Sequence, residues 1–344
     1  MKKRIGIIGC GKIAQVRHIP EFSAHPQAEI AGYYNPTRSR AEQMAQTYGG
    51  RVYDSIDEML ADTSVDAVVI SLANTAHAEV SIKALQSGKD VLCEKPMATT
   101  LEECEAMMDA ARESGRLLLI AQNQRLTPVH RQAREMIASG AIGKVLTFRT
   151  TFGHAGPETW SVNPGKGTWF FSKEKAAMGV MADLGVHKID LIDYLLDSRI
   201  TDVGALLSTL DKTGPDGNPI SVDDNALCIL RMENGVVGTM TASWTYYGAE
   251  DNSTIIYGTE GILRIYDDPV HSLRLIGSDG SVRDFDVERI QTNDNQTFSG
   301  IAEAFVGALF SRDGGELSAE KVLPAMKAVF AAIRSSGEGR FIKI

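Results

Sequence analysis

The stretch RIGIIGCGKIA, residues 4–14, narrows the fold more than any other part of the chain. An apolar run of strand length ends at Gly9, a second glycine follows at Gly11, and helical spacing then runs through KIAQVRHIPEFSAH. A strand apolar on both faces, leading at once into a glycine turn and a helix, belongs in a parallel sheet covered by helices on each side. The alternation continues. AEIAGYYN, VDAVVISLA, DVLCE and LLLIAQN read as strands; TRSRAEQMAQTYG, AHAEVSIKALQSG and TLEECEAMMDAARESG read as helices, the last with Thr100 and Glu103 at capping-box spacing. The expectation is an α/β chain that begins with a doubly wound parallel sheet over residues 1–123.

Beyond residue 123 the pattern changes. PVHRQAREMIASGAIG reads as a helix, KVLTFRTTFGH as a strand, 153–168 as a Gly/Pro-rich segment and MADLGVHKIDLIDYLL as a helix. DVGALLSTL, NALCILRM, GVVGTMTASWTYYG, STIIYG, GILRIYD and LRLIGSDGSVRDFDV follow as turn-linked strands, and two helices near 297–310 and 319–334 close the chain. Residues 124–344 are therefore expected to form an α+β domain on an open, mainly antiparallel sheet. A length of 344 residues, more than one core usually serves, agrees with two domains.

Several classes of function are set aside by composition. The net charge of −9 repels a phosphate backbone, so no nucleic-acid partner is expected. Cys10, Cys93, Cys104 and Cys228 match no zinc spacing and include no CxxC, as befits reduced thiols in a cytoplasmic protein. The first apolar run is broken by glycines, unlike a secretory signal, and no apolar stretch reaches the ~18 residues of a membrane span. There is no GxSxG nucleophile elbow and no His/Asp set at metal-ligand spacing.

Gly9-x-Gly11-x-x-Ala14, after the first strand and opening the first helix, is the setting a dinucleotide needs. Gly9 makes the tight turn, Gly11 lets main chain approach a diphosphate, and Ala14 lets the helix pack closely. Lys12 and Ile13 lie on the same turn, where helix N–H groups favour an anion. At the end of the second strand, where NAD enzymes usually carry a carboxylate for the ribose 2′-OH, stands Asn35, with Arg38 and Arg40 close behind. That set leans to NADP, although two arginines also suit a solvated helix start.

Asp183 and His187, four apart, fall on one helix face, an arrangement in which a carboxylate orients an imidazole for proton transfer; Asp190 is placed to do the same from the next turn. An exposed ion pair is the competing reading. The small residues of AAMGVMADLG suit a helix that begins close to a ligand. Asn123 and Arg125, after the LLLIAQN strand, lie on the ligand-binding edge of such a sheet.

The glycine turn, Ser71-Leu72-Ala73-Asn74-Thr75-Ala76-His77, then Glu94-Lys95-Pro96, then Asp183-x-x-x-His187, resembles the Gfo/Idh/MocA oxidoreductases, relatives of glucose–fructose oxidoreductase and inositol 2-dehydrogenase. The resemblance runs along essentially the whole chain. It implies a Rossmann domain, a second domain whose sheet joins subunits into homodimers or homotetramers, and hydride transfer between NAD(P) and a hydroxyl-bearing carbon of a sugar, inositol or related polyol. It implies that Lys95 bridges the substrate hydroxyl and the nicotinamide ribose, that His187 is the acid/base and that Asp183 binds substrate and tunes His187. Ser71, Asn74, His77 and Glu94 would contact the cofactor. His154, Trp160, Lys166 and Trp169 precede the Asp183 helix, and Trp169 and Arg125 are the further substrate candidates; Trp244 and Tyr246 read as sheet or interface residues. Two other readings stay open: an NAD-dependent glycosidase working by transient sugar oxidation, and a non-catalytic NAD(P)-binding regulator.

Overall fold

The computed structural model describes residues 2–287 and 298–344. Among these, six strands form a parallel sheet: β1 (Lys3–Ile8), β2 (Ala28–Tyr34), β3 (Arg51–Val52), β4 (Ala67–Ile70), β5 (Asp90–Cys93) and β6 (Leu118–Ile120). Their order is β3-β2-β1-β4-β5-β6, so chain direction across the sheet reverses between β1 and β4, the switch point where doubly wound sheets bind ligands. Ile5, Ile7 and Ile8 of β1 and all of β4 are fully buried, which is why these strands read as unbroken apolar runs. The short β3 was not expected; two residues leave no periodicity to find. The capping box is present, with Thr100 Oγ1 accepting from the Glu103 N–H (3.1 Å) and Glu103 Oε2 from the Thr100 N–H (3.1 Å).

The second sheet holds β7 (Val145–Gly153), β8 (Ile200–Ser208), β9 (Asn225–Met232), β10 (Val237–Ser243), β11 (Thr254–Gly258), β12 (Gly261–Ile265), β13 (Leu273–Gly277), β14 (Val282–Phe285) and β15 (Ile342–Lys343). Its order is β14-β13-β12-β11-β7-β10-β9-β8-β15, antiparallel except for the β7–β10 pair. In β9, buried Ala226, Cys228, Leu230 and Met232 alternate with exposed residues, the mark of a sheet with one covered face. Trp244 and Tyr246, expected on a strand, lie just past the end of β10.

The chain divides into two compact units, Met1–Asn123 with Gln291–Leu323, and Gln124–Ile290 with Pro324–Ile344. The sequence had assigned everything after residue 123 to one domain. The helix Ile301–Ser311, expected near 297–310 (residue 297 lies outside the described residues), instead packs in the first unit. Phe305 meets Phe22 edge-on at 6.2 Å, the Glu21 carboxylate accepts from the N–H of Ser299 and of Ala302, and Arg312 pairs with Asp90 at 2.7 Å. These partners are some two hundred or more residues apart in sequence, beyond the reach of local pattern.

Candidate active site

In the first unit the candidate residues gather at the carboxyl ends of parallel strands. Gly9 has φ +100°, and an added Cβ would stand 2.2 Å from the Ser71 carbonyl oxygen, so only glycine fits. At Gly11 an added Cβ would find only that oxygen, at 3.9 Å. That open side is what a diphosphate needs to reach main chain, so the turn fits a dinucleotide. Lys12 and Ile13 are half-buried at the helix start, and Ala14 is fully buried where the helix packs.

Asn35, expected at the ribose, is buried just past the end of β2. Its Oδ1 accepts from the Cys10 N–H (2.9 Å) and its Nδ2 donates to the Thr37 carbonyl (2.9 Å), bracing the glycine turn from the end of β2. Arg38, expected to receive a 2′-phosphate, donates to Glu42 (2.8 Å) and to Asp54. Arg40 is half-buried.

The Ser71 N–H donates to the Ile8 carbonyl (2.8 Å), and Asn74 is buried on the turn Asn74–Ala76. His77, expected to touch cofactor, is fully buried. Its Nδ1 lies 2.8 Å from the Pro96 carbonyl and its Nε2 3.2 Å from the Leu72 carbonyl, so the ring ties the loop after β4 to the loop after β5. Burial pulls His77 below the usual histidine range despite those carbonyls. Glu94 accepts from His18 Nε2 (2.7 Å) and from the Lys95 N–H (3.0 Å). Burial pushes its carboxyl up, but the His18 hydrogen bond and the charges of His18, Lys95 and Arg17 outweigh it and hold Glu94 below the usual range. Glu94 thereby fixes the half-buried Lys95, whose peptide bond to Pro96 is cis, against the helix that follows the glycine turn. Asn123 is buried at the start of the turn Asn123–Leu126.

In the second unit Asp183 lies on the π-helical turn Met181–Gly185 and His187 in the first turn of the helix Val186–Leu196. They are 7% and 8% exposed, which removes the surface ion pair as an explanation. The fully buried Trp244 donates from Nε1 to Asp183 Oδ2 at 3.0 Å. Sequence reasoning read Trp244 as a sheet or interface residue, because nothing local joins residues 61 positions apart. Asp223 was missed too. Its carboxylate accepts from the N–H of Gly179 (2.9 Å) and of Met181 (2.8 Å), capping the start of the helical segment that bears Asp183. Gly179 belongs to that contact and not to a ligand, since an added Cβ would fall 1.9 Å from the Asp223 carbonyl oxygen.

Asp190 and Arg125 are brought together. Arg125 donates from Nε and Nη2 to the two oxygens of Asp190, both at 2.7 Å, with side chains 4% and 0% exposed. The fork joins the turn after β6 to the underside of the His187 helix. Asp193, one turn on, is pushed well above the usual carboxylate range by burial and by Asp190. His187 lies 6.1 Å from the Phe152 ring; His154 meets Phe152 and Trp160 edge-on; Trp169 stacks on Phe170 at 3.9 Å. Lys166 is exposed and donates to Thr213 (2.7 Å). All four cysteines are buried, and burial pushes the thiols of Cys10, Cys104 and Cys228 up to about 12, far from nucleophilic use.

With the glycine turn and the buried Asp183–His187 pair in place, kinship with known proteins is direct. The oxidoreductase family GFO_IDH_MocA, NAD-binding Rossmann fold, matches residues 3–122, and the GFO/IDH/MocA C-terminal domain matches 130–264. The chain belongs to the GFO/IDH/MocA oxidoreductase family. It is 35% identical over 286 residues to levoglucosan dehydrogenase of Pseudarthrobacter phenanthrenivorans, covering 75% of this chain and 72% of that protein. It is 27% identical to scyllo-inositol 2-dehydrogenase (NAD(+)) of Bacillus subtilis, covering 76% and 73%. A solved levoglucosan dehydrogenase in complex with NADH superposes with a TM-score of 0.88 at 26% identity, covering 100% of this chain and 99% of that one. As a member of this GFO/IDH/MocA family the protein is an oxidoreductase with an NAD-binding fold, and among its described residues no helix is long and apolar enough to cross a membrane.

Proposed function

We propose that this protein is an NAD-dependent dehydrogenase acting on a secondary alcohol carbon of a sugar or cyclic polyol. The observation that carries the reading is the Asp183 carboxylate, aimed by Trp244 and held one turn ahead of the buried His187. A buried carboxylate stabilises the imidazolium that forms when the histidine takes a hydroxyl proton, a step typically worth 100-fold or more. When bound, the nicotinamide supplies the hydride-accepting carbon. The glycine turn with Lys12 and Ile13 would hold the diphosphate, and Ser71, Asn74, Glu94 and Asn123 would line the cofactor. His187 moves the proton at the substrate hydroxyl oxygen. Asp183 orients both ring and hydroxyl, and the Lys95 ammonium stabilises the oxygen as it gains negative charge. Trp169 offers an apolar face to a sugar ring, while Arg125 braces the His187 helix through Asp190.

NAD is favoured over NADP because Arg38, the guanidinium nearest in sequence to the ribose end of β2, already answers to Glu42 and Asp54. A relative named for NAD(+) and one bound to NADH support the same reading. Exposed Leu206, Leu227 and Ile229 (59%, 54% and 46%), with Leu206 opposite Leu227 on neighbouring strands, form an apolar stripe on the open sheet face suited to a second copy of the chain. Four unbridged thiols suit a reducing cytoplasm.

The test is a screen of sugars, anhydrosugars and inositols with NAD and NADP separately, following reduced nicotinamide. Failure of every polyol to reduce either cofactor, and of every ketose to oxidise the reduced forms, sinks the reading. Release of an aglycone without net cofactor reduction would assign glycosidase chemistry instead.

A further inference from the structure

Lys188 follows His187 in the chain, and its side chain is fully buried. Nζ donates to the Asn252 carbonyl (2.9 Å) and lies 3.4 Å from Thr254 Oγ1, which is 2.7 Å from Thr150 Oγ1. These partners are neutral. Two such bonds do not repay the several kcal/mol of removing an ammonium from water, and a methionine would fill the same space without that cost. The ammonium also sits over the Phe152 ring, 5.8 Å from its centroid, and the same ring lies 6.1 Å from the His187 imidazole. The Lys188 amine and the His187 imidazole thus meet the same buried aromatic ring.

We propose that Lys188 is a positioning residue for proton transfer: its buried ammonium, set behind Phe152, opposes the pull of Asp183 and keeps the His187 ring neutral and ready to act as a base near neutral pH. This rests on the acid/base role given to His187 above. The groups facing Lys188 bear the proposal out. Glu250 and Asp251, on the lead-in to β11, favour the charged lysine, whereas burial pushes it down to about 7. His130, from the helix Pro128–Ala138, is pushed down to about 3, by burial first and then by Lys188, so it adds no second positive charge. On the His187 segment itself Asp183 lies one turn before the histidine, while Asp190, paired with Arg125, and Asp193 follow on the same helix; Phe152 and Trp244 reach the Asp183–His187 pair from β7 and from beyond β10. With burial pushing it down to about 7, Lys188 takes up its charge as pH falls toward the range in which an ordinary imidazole is protonated. Both groups lie about 6 Å from the centre of the Phe152 ring, so the ammonium is at most about 12 Å from the imidazole, and removing it at an effective dielectric of ~20 should raise the protonation midpoint of His187 by about one pH unit.

The experiment compares wild type, Lys188→Met and Lys188→Arg by two readouts. The first is the NMR titration of the His187 ring without substrate, assigned with His187→Asn. The second is the acidic limb of kcat/KM for a polyol from the screen. The expected result is a midpoint about one unit higher in Lys188→Met and restored in Lys188→Arg, by both readouts. An unmoved ring titration in Lys188→Met, or an arginine variant that behaves like methionine, overturns the proposal. Lys188→Gln serves in the same way should the methionine variant fold poorly. Absence of any substrate would defeat the dehydrogenase reading, while the ring titration would still decide the role of Lys188.

Discussion

Replacing Trp244 with phenylalanine deletes one hydrogen-bond donor and little else. The indole is fully buried, 5.8 Å from the Phe171 ring, and phenylalanine keeps most of that packing. What disappears is the Nε1–H, 3.0 Å from Asp183 Oδ2. A hydrogen bond to a charged group is worth ~1.5–3 kcal/mol, and Asp183 at 7% exposure has little water to replace it. If the whole loss falls on the transition state, kcat/KM drops ~10- to 100-fold, since each 1.36 kcal/mol is a factor of ten. The fall should lie mainly in kcat, because the carboxylate still binds but no longer points. Initial rates of Trp244→Phe against wild type, with urea melts of both, measure this. A variant with kcat/KM within about twofold of wild type and a normal melt would refute the argument that Trp244 aims Asp183.

His187→Asn is expected to lower kcat by ~100-fold or more with a smaller change in KM, read from steady-state kinetics. Arg125→Met leaves the Asp190 carboxylate buried without its guanidinium and should cost ~3–5 kcal/mol in urea unfolding, most of it recovered in the Arg125→Met/Asp190→Leu double variant. His130 stays neutral down to about 3 in the folded protein but takes a proton near 6.5 when unfolded. Its contribution is therefore complete above 6.5 and lost at ~1.4 kcal/mol per pH unit as pH falls toward 3; acid melts of His130→Gln should be correspondingly shallower. Glu42→Gln/Asp54→Asn, which releases Arg38 from both carboxylates, should raise the NADP-to-NAD ratio of kcat/KM by roughly tenfold, on the scale of one ionic contact of ~1.4 kcal/mol.

What could be read from the sequence was local and periodic. Strands β1, β2, β4, β5 and β6 announce themselves because burial on both faces makes them mostly apolar runs, and Thr100–Glu103 because a capping box spans three residues. The glycine turn was equally plain, since the Gly9 conformation tolerates nothing else. What escaped was the choice of partner. Asn35, Arg38, His77 and Arg125 are polar residues at the binding edge, and a sequence cannot show that their hydrogen bonds are already taken by Cys10, Asp54, Pro96 and Asp190. Trp244 reads as an apolar residue until Asp183 is found against its nitrogen. Helix Ile301–Ser311 has the spacing of any amphipathic helix, and only Phe22 and Glu21 reveal which core it serves.

The Asp223 cap also sets a schedule. The carboxylate that receives the Gly179 N–H lies 44 residues downstream of it, so the segment bearing Asp183 and His187 is synthesised before its cap exists. At the usual pace of synthesis that gap lasts roughly 2–9 s. Trp244 arrives later still. Asp183 and His187 are thus translated well ahead of Asp223 and Trp244, and a nascent chain stalled between His187 and Asp223 would carry both without the cap or the indole donor.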